Sequence, residues 1–125
     1  MQLRLKLLSG RFAVCRLEAG AEIPAAFLKA AYEFLSFTRT ADELSIVCPE
    51  ALAPQGAKIQ RDWRAFKVQG PLDFSLTGVI ATLAAPLAEA KISVFTVATY
   101  DTDYLLVQEK DLERAQKTLA AFLGS

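Results

Sequence analysis

The chain has 125 residues, enough for one compact domain or for two very small subdomains that share a core. Fourteen Lys and Arg balance fourteen Asp and Glu, so nothing in the charge directs the protein to nucleic acid or to anionic lipid. The sequence contains no histidine, which removes the commonest general base and the commonest metal ligand and argues against an enzyme or a metalloprotein.

Cysteine usage and hydropathy both point to a cytoplasmic protein. Cys15 and Cys48 lie in apolar runs far apart in the sequence and belong to no CxxC pair, so we expect reduced core thiols. The alternating residues 1–10 lack the uninterrupted apolar core of a signal peptide. The apolar regions are broken well before the ~20 residues that a membrane span needs, so no membrane partner is expected.

The first half of the chain alternates between extended and helical character. Leu3, Leu5 and Leu7 alternate with charged residues, as in a half-buried strand. Pro24 suits the first turn of a helix, where its missing N–H costs nothing. The pattern predicts, in order, strands at 2–8 and 11–17, a short helix at 24–32, a β-hairpin of 34–39 and 44–48, and a turn of helix at 50–52.

The second half repeats this order and closes with a longer helix. A strand at 58–69 leads into a helix at 78–90, whose apolar residues recur at spacings of three and four. Pro86 lies inside that helix and cannot donate to the carbonyl of Thr82, which leaves an acceptor for water or for a ligand ammonium. The last predicted elements are a hairpin of 92–98 and 104–107 and a helix at 109–123.

Two segments about sixty residues apart are similar. Residues 40–47 and 99–107, aligned with one gap, each contain a threonine, an acidic turn and an apolar strand, and each follows a helix. The sequence therefore predicts two tandem βαββ units, residues 1–57 and residues 58–125, divided near the loop at 54–56. Antiparallel sheets with helices on one face make this an α+β fold.

Residues 70–112 resemble the ACT domains, small ferredoxin-like βαββαβ regulatory modules that bind amino acids and other small effectors. The resemblance rests on the glycine within 76–81, on the helix exit at 86–90 and on the turn at 99–103. The segment is most similar to the tandem-ACT branch that includes the animal cytosolic arginine sensors called CASTOR and short bacterial members. The first sixty residues keep the element order of a degenerate first ACT unit.

This resemblance implies an amino acid bound at the seam between two ACT units, with no cofactor. The helix start at Gly78 would face the carboxylate, and Asp103 or the Thr82 carbonyl would face the ammonium. Leu76 stands where members with a demonstrated ligand tend to have a polar residue. The residues that the resemblance assigns to the site are Leu76, Thr77, Gly78, Val79, Thr82, Leu83, Thr99, Tyr100 and Asp103.

Two functions stay open at this point. The first is a non-catalytic sensor or regulatory module, in which a small-molecule effector stabilises one assembly and no chemistry is required. The alternative is a structural or protein-interaction module whose ligand site is vestigial and filled by its own side chains. The sequence contains no Walker loop, GxSxG or zinc motif, and its sheet edges leave a homodimer open.

Overall fold

Within residues 3–28, 32–69 and 78–123, which the computed structural model describes, the chain forms seven strands and short helices. The strands are β1 (Leu5–Leu7), β2 (Phe12–Leu17), β3 (Ser36–Arg39), β4 (Leu44–Pro49), β5 (Lys58–Val68), β6 (Val94–Ala98) and β7 (Asp103–Gln108). The α-helices are α1 (Val79–Glu89), α2 (Leu112–Thr118) and α3 (Ala120–Leu123). Single 3₁₀ turns occupy Ala25–Leu28, Glu50–Leu52 and Glu109–Asp111.

The chain divides into two compact units. The first unit is Gly10–Trp63, and the second unit combines Met1–Ser9 with Arg64–Ser125. Strand β5 crosses this division, so each unit contains one half of it. The domain boundary drawn from the sequence, at residues 57 and 58, stays a prediction.

Both units order their strands in the same way. In the first unit the order is β3-β4-β2-β5, and each of these pairings is antiparallel. In the second unit the order is β6-β7-β5, and β1 pairs antiparallel with β5 on its other side. If the four strands of each unit are numbered 1 to 4 in βαββαβ order, they are β2, β3, β4, β5 in the first unit and β5, β6, β7, β1 in the second. Both sheets then have the strand order 2-3-1-4, which is the ferredoxin-like arrangement predicted from the sequence. The fourth strand of the second unit is β1, from the other end of the chain.

Strands β1 and β2 therefore pair with β5. Leu5 is the partner of Val68, and Phe12 is the partner of Trp63. The sequence correctly predicts the two strands and the turn between them, where Gly10 has a φ of 77°. It does not reveal that the partner of β1 lies about sixty residues away, because alternation specifies which face of a strand is buried but not which strand it pairs with.

The core of the second unit lies between α1, α2 and the strands. Val79, Leu83 and Leu87 recur every four residues and form the buried face of α1, as the sequence predicted. Packed against them are Phe66, Val68, Leu105, Val107, Ala115 and Leu119. Burying this face fixes α1 against the sheet and so determines where its first turn lies.

The helix predicted at 24–32 differs from the structure. Its described part is the 3₁₀ turn Ala25–Leu28, in which the N–H of Phe27 donates to the carbonyl of Pro24 at 3.0 Å. Residues 29–31 lie outside the described part of the chain. Leu28, within the segment predicted to be helical, is 68% exposed. With one buried side chain in the turn, there is no buried face to hold an amphipathic α-helix in place.

The C-terminal helix is segmented. The single helix predicted at 109–123 consists of the 3₁₀ turn Glu109–Asp111, then α2, then α3. The interruption falls at Leu119, whose carbonyl accepts from the N–H of Phe122 at 2.9 Å, three residues on. Leu119 itself is fully buried, so the break keeps this side chain in the core.

The two cysteines of the first unit are free and buried, as the sequence predicted. The register of β2 and β4 pairs Ala13 with Cys48, so Cys15 and Cys48 are diagonal neighbours on one face. Burial raises the pKa of both thiols, and that of Cys48 reaches about 12, against an ordinary value of 9.0. The folded state therefore favours the protonated form of Cys48.

Cys48 should make the protein less stable at high pH. Because its folded pKa is raised, the stabilisation is fully present below about pH 9 and is lost as the pH rises toward 12. We expect the free energy of unfolding to fall between about pH 8 and pH 10.5 by up to about 1.4 kcal/mol per pH unit more than in Cys48→Ala. Urea unfolding across this range measures the difference, and parallel pH profiles would contradict it.

A non-glycine residue occupies a glycine-type position at the end of α1. Lys91 has a φ of 60°, its N–H donates to the carbonyl of Ala88, and the N–H of Ile92 donates to the carbonyl of Leu87, both at 2.9 Å. This is a Schellman motif, in which glycine is the usual residue at the left-handed position. The Cβ of Lys91 therefore costs about 1–2 kcal/mol here.

Lys91→Gly should stabilise the protein. The relief of left-handed strain, about 1–2 kcal/mol, exceeds the added flexibility of the unfolded chain, about 0.4–1 kcal/mol. Thermal unfolding should therefore show a higher Tm for Lys91→Gly. Lys91→Ala is the matched control, since it removes the exposed side chain but keeps the Cβ, and a similar gain in that variant would show that strain is not the cause.

Candidate functional site

The polar turn between β6 and β7 is closed by its own threonines. The N–H of Thr99 donates to the carbonyl of Thr102 at 2.8 Å. The hydroxyl of Thr99 donates to the same carbonyl at 3.0 Å and accepts the N–H of Thr102 at 3.3 Å. The Thr99 hydroxyl, which the sequence offered as a ligand contact, therefore has partners inside the turn.

Thr102 anchors this turn to the sheet, a role that the sequence analysis missed. Its side chain is only 4% exposed, and its hydroxyl donates to the carbonyl of Val68, the last residue of β5, at 2.6 Å. The signal that could have indicated it is a threonine placed directly before the apolar strand β7. This hydrogen bond places the turn at the edge of the sheet where β5 ends.

The first turn of α1 offers backbone N–H groups. Gly78, the N-cap residue, has a φ of 75° and no side chain with which to cap the helix. Its carbonyl accepts the N–H of Thr82 at 2.8 Å, and Thr82 is exposed. Leu76 and Thr77, the two other predicted contacts before the helix, lie outside the described residues. Because the N-cap residue contributes no side chain, the partial positive charge at this helix start suits an anionic group.

Chain topology brings the start of α1 toward the Thr99 turn. α1 ends at Glu89 and β6 begins at Val94, so the C-terminal end of α1 lies at the edge where β6 begins. Eleven helical residues span about 16 Å, and five strand residues span about 16 Å. Gly78 therefore lies toward the edge where β6 ends, which is also where β5 ends.

The predicted site residues differ in how far their side chains are exposed to solvent. Tyr100 is 81% exposed, Thr82 and Thr99 are exposed, and Asp103 is half-buried. Val79 and Leu83 are buried in the core, so they can offer a ligand only their backbone. Within the described residues, the side chain of Asp103 makes no hydrogen bond or ion pair, although its backbone belongs to β7, so its carboxylate is available at this edge.

Among the described residues, no group of three or more His, Cys, Asp or Glu side chains could hold a metal ion. None of the helices in the described ranges is long and apolar enough to span a bilayer.

The first unit contains the counterpart of the Thr99 turn. The N–H of Thr40 donates to the carbonyl of Glu43 at 2.9 Å, and the N–H of Glu43 donates to the hydroxyl of Thr40 at 3.2 Å. Strand β4 and the 3₁₀ turn after it recur as β7 and its 3₁₀ turn at one constant offset, from residue 44 to 103 and from 50 to 109. The two copies of the repeat therefore align without the gap used in the sequence comparison.

A family model for the ACT domain matches residues 58–121, slightly more than half of the chain. The chain belongs to the ACT-domain family. A second family model, described as an N-terminal domain, matches residues 10–56. The ACT fold predicted from the sequence is confirmed.

Among curated proteins, human CASTOR3P is 32% identical over 108 residues, which cover 76% of this ACT chain and 66% of that protein. The human cytosolic arginine sensor for mTORC1 subunit 1 is 37% identical over 67 residues, 47% of this chain but 20% of the sensor. The predicted resemblance to the CASTOR branch is thus confirmed. The chain spans about two thirds of the first relative and a fifth of the second.

Solved structures share the fold. A protein from Agrobacterium tumefaciens superposes with a TM-score of 0.87 at 40% identity, covering 99% of this ACT chain and 92% of that one. The regulatory subunit of aspartate kinase from Thermus thermophilus superposes with a TM-score of 0.63 at 15% identity, covering 94% and 97% of the two chains. At that identity the second match shows the fold alone.

Thr102→Val should destabilise the protein despite its similar shape. The change removes the hydroxyl that donates to the Val68 carbonyl, and loss of a buried hydrogen bond costs about 1–3 kcal/mol. Thr102→Ser keeps the donor and loses one methyl group, about 0.8 kcal/mol. Urea unfolding should rank wild type above Ser and Ser above Val; a Val variant as stable as the Ser variant would contradict the anchoring role.

Proposed function

We propose that this chain is a non-catalytic regulatory module that binds a free amino acid at the edge formed by the start of α1 and the Thr99 turn. The observation that carries the proposal is the combination of two opposite charges at one edge. Gly78 opens a helix without a capping side chain, and Asp103 presents a carboxylate with no partner within the described residues. A free amino acid is a zwitterion, so its carboxylate suits the helix start and its ammonium suits Asp103.

Each predicted contact has a role in this proposal. The N–H groups after Gly78 bind the carboxylate, and the backbone of Val79 and Leu83 completes that side while their side chains stay in the core. Pro86 cannot donate to the Thr82 carbonyl, so this acceptor and Asp103 are the partners proposed for the ammonium. Thr99 fixes the turn, and the role proposed for the exposed Tyr100 ring is to cover the bound ligand.

The relatives support the ligand class. One carries the name cytosolic arginine sensor, and the present chain matches 20% of that protein's length, so arginine is the first amino acid to test. A cytoplasmic location belongs to the same proposal. The positions of Leu76 and Thr77, the seam between two ACT units and the homodimer all stay predictions from the sequence.

Binding can regulate without chemistry. A ligand shifts an equilibrium only by the difference in its affinity for the two states. At one hundred times its Kd, a ligand that binds only the folded state stabilises it by about 2.7 kcal/mol. This is enough for a regulatory module to favour one assembly over another.

A thermal-shift screen of the twenty common amino acids, followed by calorimetry, tests this function. We expect one amino acid to raise the Tm saturably at millimolar concentration. Asp103→Asn should weaken its binding by about tenfold, the loss expected for one charge-assisted hydrogen bond. Asp101→Asn is the matched control, because Asp101 is exposed in the same turn and should leave the affinity unchanged.

Two results would contradict the proposal. One is the absence of any saturable shift with all twenty amino acids, which would favour the protein-interaction module instead. The other is an amino acid that binds Asp103→Asn as tightly as the wild type, which would place its site elsewhere.

A further inference from the structure

A separate cleft lies wholly within the first unit. Its volume is about 230 Å³. The end of β2, the start of β5 and the preceding residues Gln55 and Gly56 form its lining. Two of the lining side chains, Arg16 and Lys58, are cationic, and Glu18 is the carboxylate among them. None of these residues belongs to the edge proposed above to bind an amino acid.

The two cations stand directly opposite each other. Arg16 and Lys58 are partners in the antiparallel pairing of β2 and β5, so their side chains leave the sheet on the same face. Like charges at directly opposed positions destabilise a sheet. Within the described residues, Lys58 makes no ion pair. Glu18 lies 3.9 Å from Arg16 but is 91% exposed, so it compensates the charge weakly.

Within the described residues, the guanidinium of Arg16 makes one hydrogen bond and one ion pair at 3.9 Å, so most of its donors are available to a ligand. Its Nη2 donates to the carbonyl of Asp42 at 2.9 Å, which uses one of the five N–H donors of an arginine. Arg39 steadies the loop after β2 by donating to the carbonyls of Ala19 and Ala21. A donor that is already oriented loses less entropy when a ligand binds.

We propose that this cleft binds a small monocarboxylate through Arg16 and Lys58. Two cations and one carboxylate leave the lining with one net positive charge, which matches a monoanion better than a phosphate dianion. The cleft is smaller than the roughly 300–1,000 Å³ of sites for drug-sized ligands, so it suits a small metabolite. A bound carboxylate relieves the repulsion between the opposed cations, and Gln55 and the Gly56 backbone form the wall beside it.

NMR titration of the ¹⁵N-labelled full chain with sodium lactate tests this site. Sodium phosphate forms a second arm, and sodium chloride at equal ionic strength is the blank. We expect saturable shifts of the Leu17, Gly56 and Lys58 amides with lactate. Lys58→Gln should weaken lactate binding by about tenfold. Lys110→Gln, which removes an exposed lysine of the second unit, should bind lactate like the wild type.

Thermal unfolding gives an independent measurement, because Lys58→Gln should change the Tm differently without and with lactate. Without ligand, Lys58→Gln should raise the Tm, because it removes the opposed like charge, and it should abolish the stabilisation by lactate. Asp103→Asn should leave lactate binding intact, which separates this proposal from the amino-acid site. The proposal is overturned by shifts that sodium chloride reproduces, by unchanged lactate affinity in Lys58→Gln, or by tighter binding of phosphate than of lactate.

Discussion

One strand, β5, belongs to both units, and the rest of the chain is arranged around this constraint. Its first half pairs with β2 as the fourth strand of the first unit. Its second half is the first strand of the second unit and pairs with β1. Between the halves, the register with β2 shifts, and Asp62 adopts a φ of 68° while its N–H donates to Glu50. A bulge thus lies directly before the residue at which one unit ends.

The pairing of β1 shows what local patterns can and cannot specify. The alternation of Leu3, Leu5 and Leu7 predicts a strand, and the four-residue spacing along α1 predicts a helix, because each pattern reports burial of one face. Both elements are present in the structure. The partner of β1 is a strand about sixty residues further along the chain, so no residue near β1 indicates this pairing. The repeated hairpins are the exception, because the second copy supplies the missing context.

The candidate site was predictable in its chemistry more than in its geometry. The polar residues of the Thr99 turn stand out between two apolar strands, and Asp103 is found there at the start of β7. Val79 and Leu83 were predicted to contact a ligand, but the spacing that makes them the buried face of α1 directs their side chains into the core. Thr102 was missed because its place directly before an apolar strand suggests burial but does not indicate which carbonyl its hydroxyl reaches.

The two units tie their hairpin turns to the first strand of the unit by different chemistry. In the second unit a neutral hydroxyl, that of Thr102, donates to the end of β5, so Asp103 is left to give the edge a negative group. In the first unit the guanidinium of Arg16 donates from β2 to the carbonyl of Asp42 in the turn. One scaffold is thus repeated with a different anchoring side chain in each unit, so the chemistry of the two turns differs although the fold is shared.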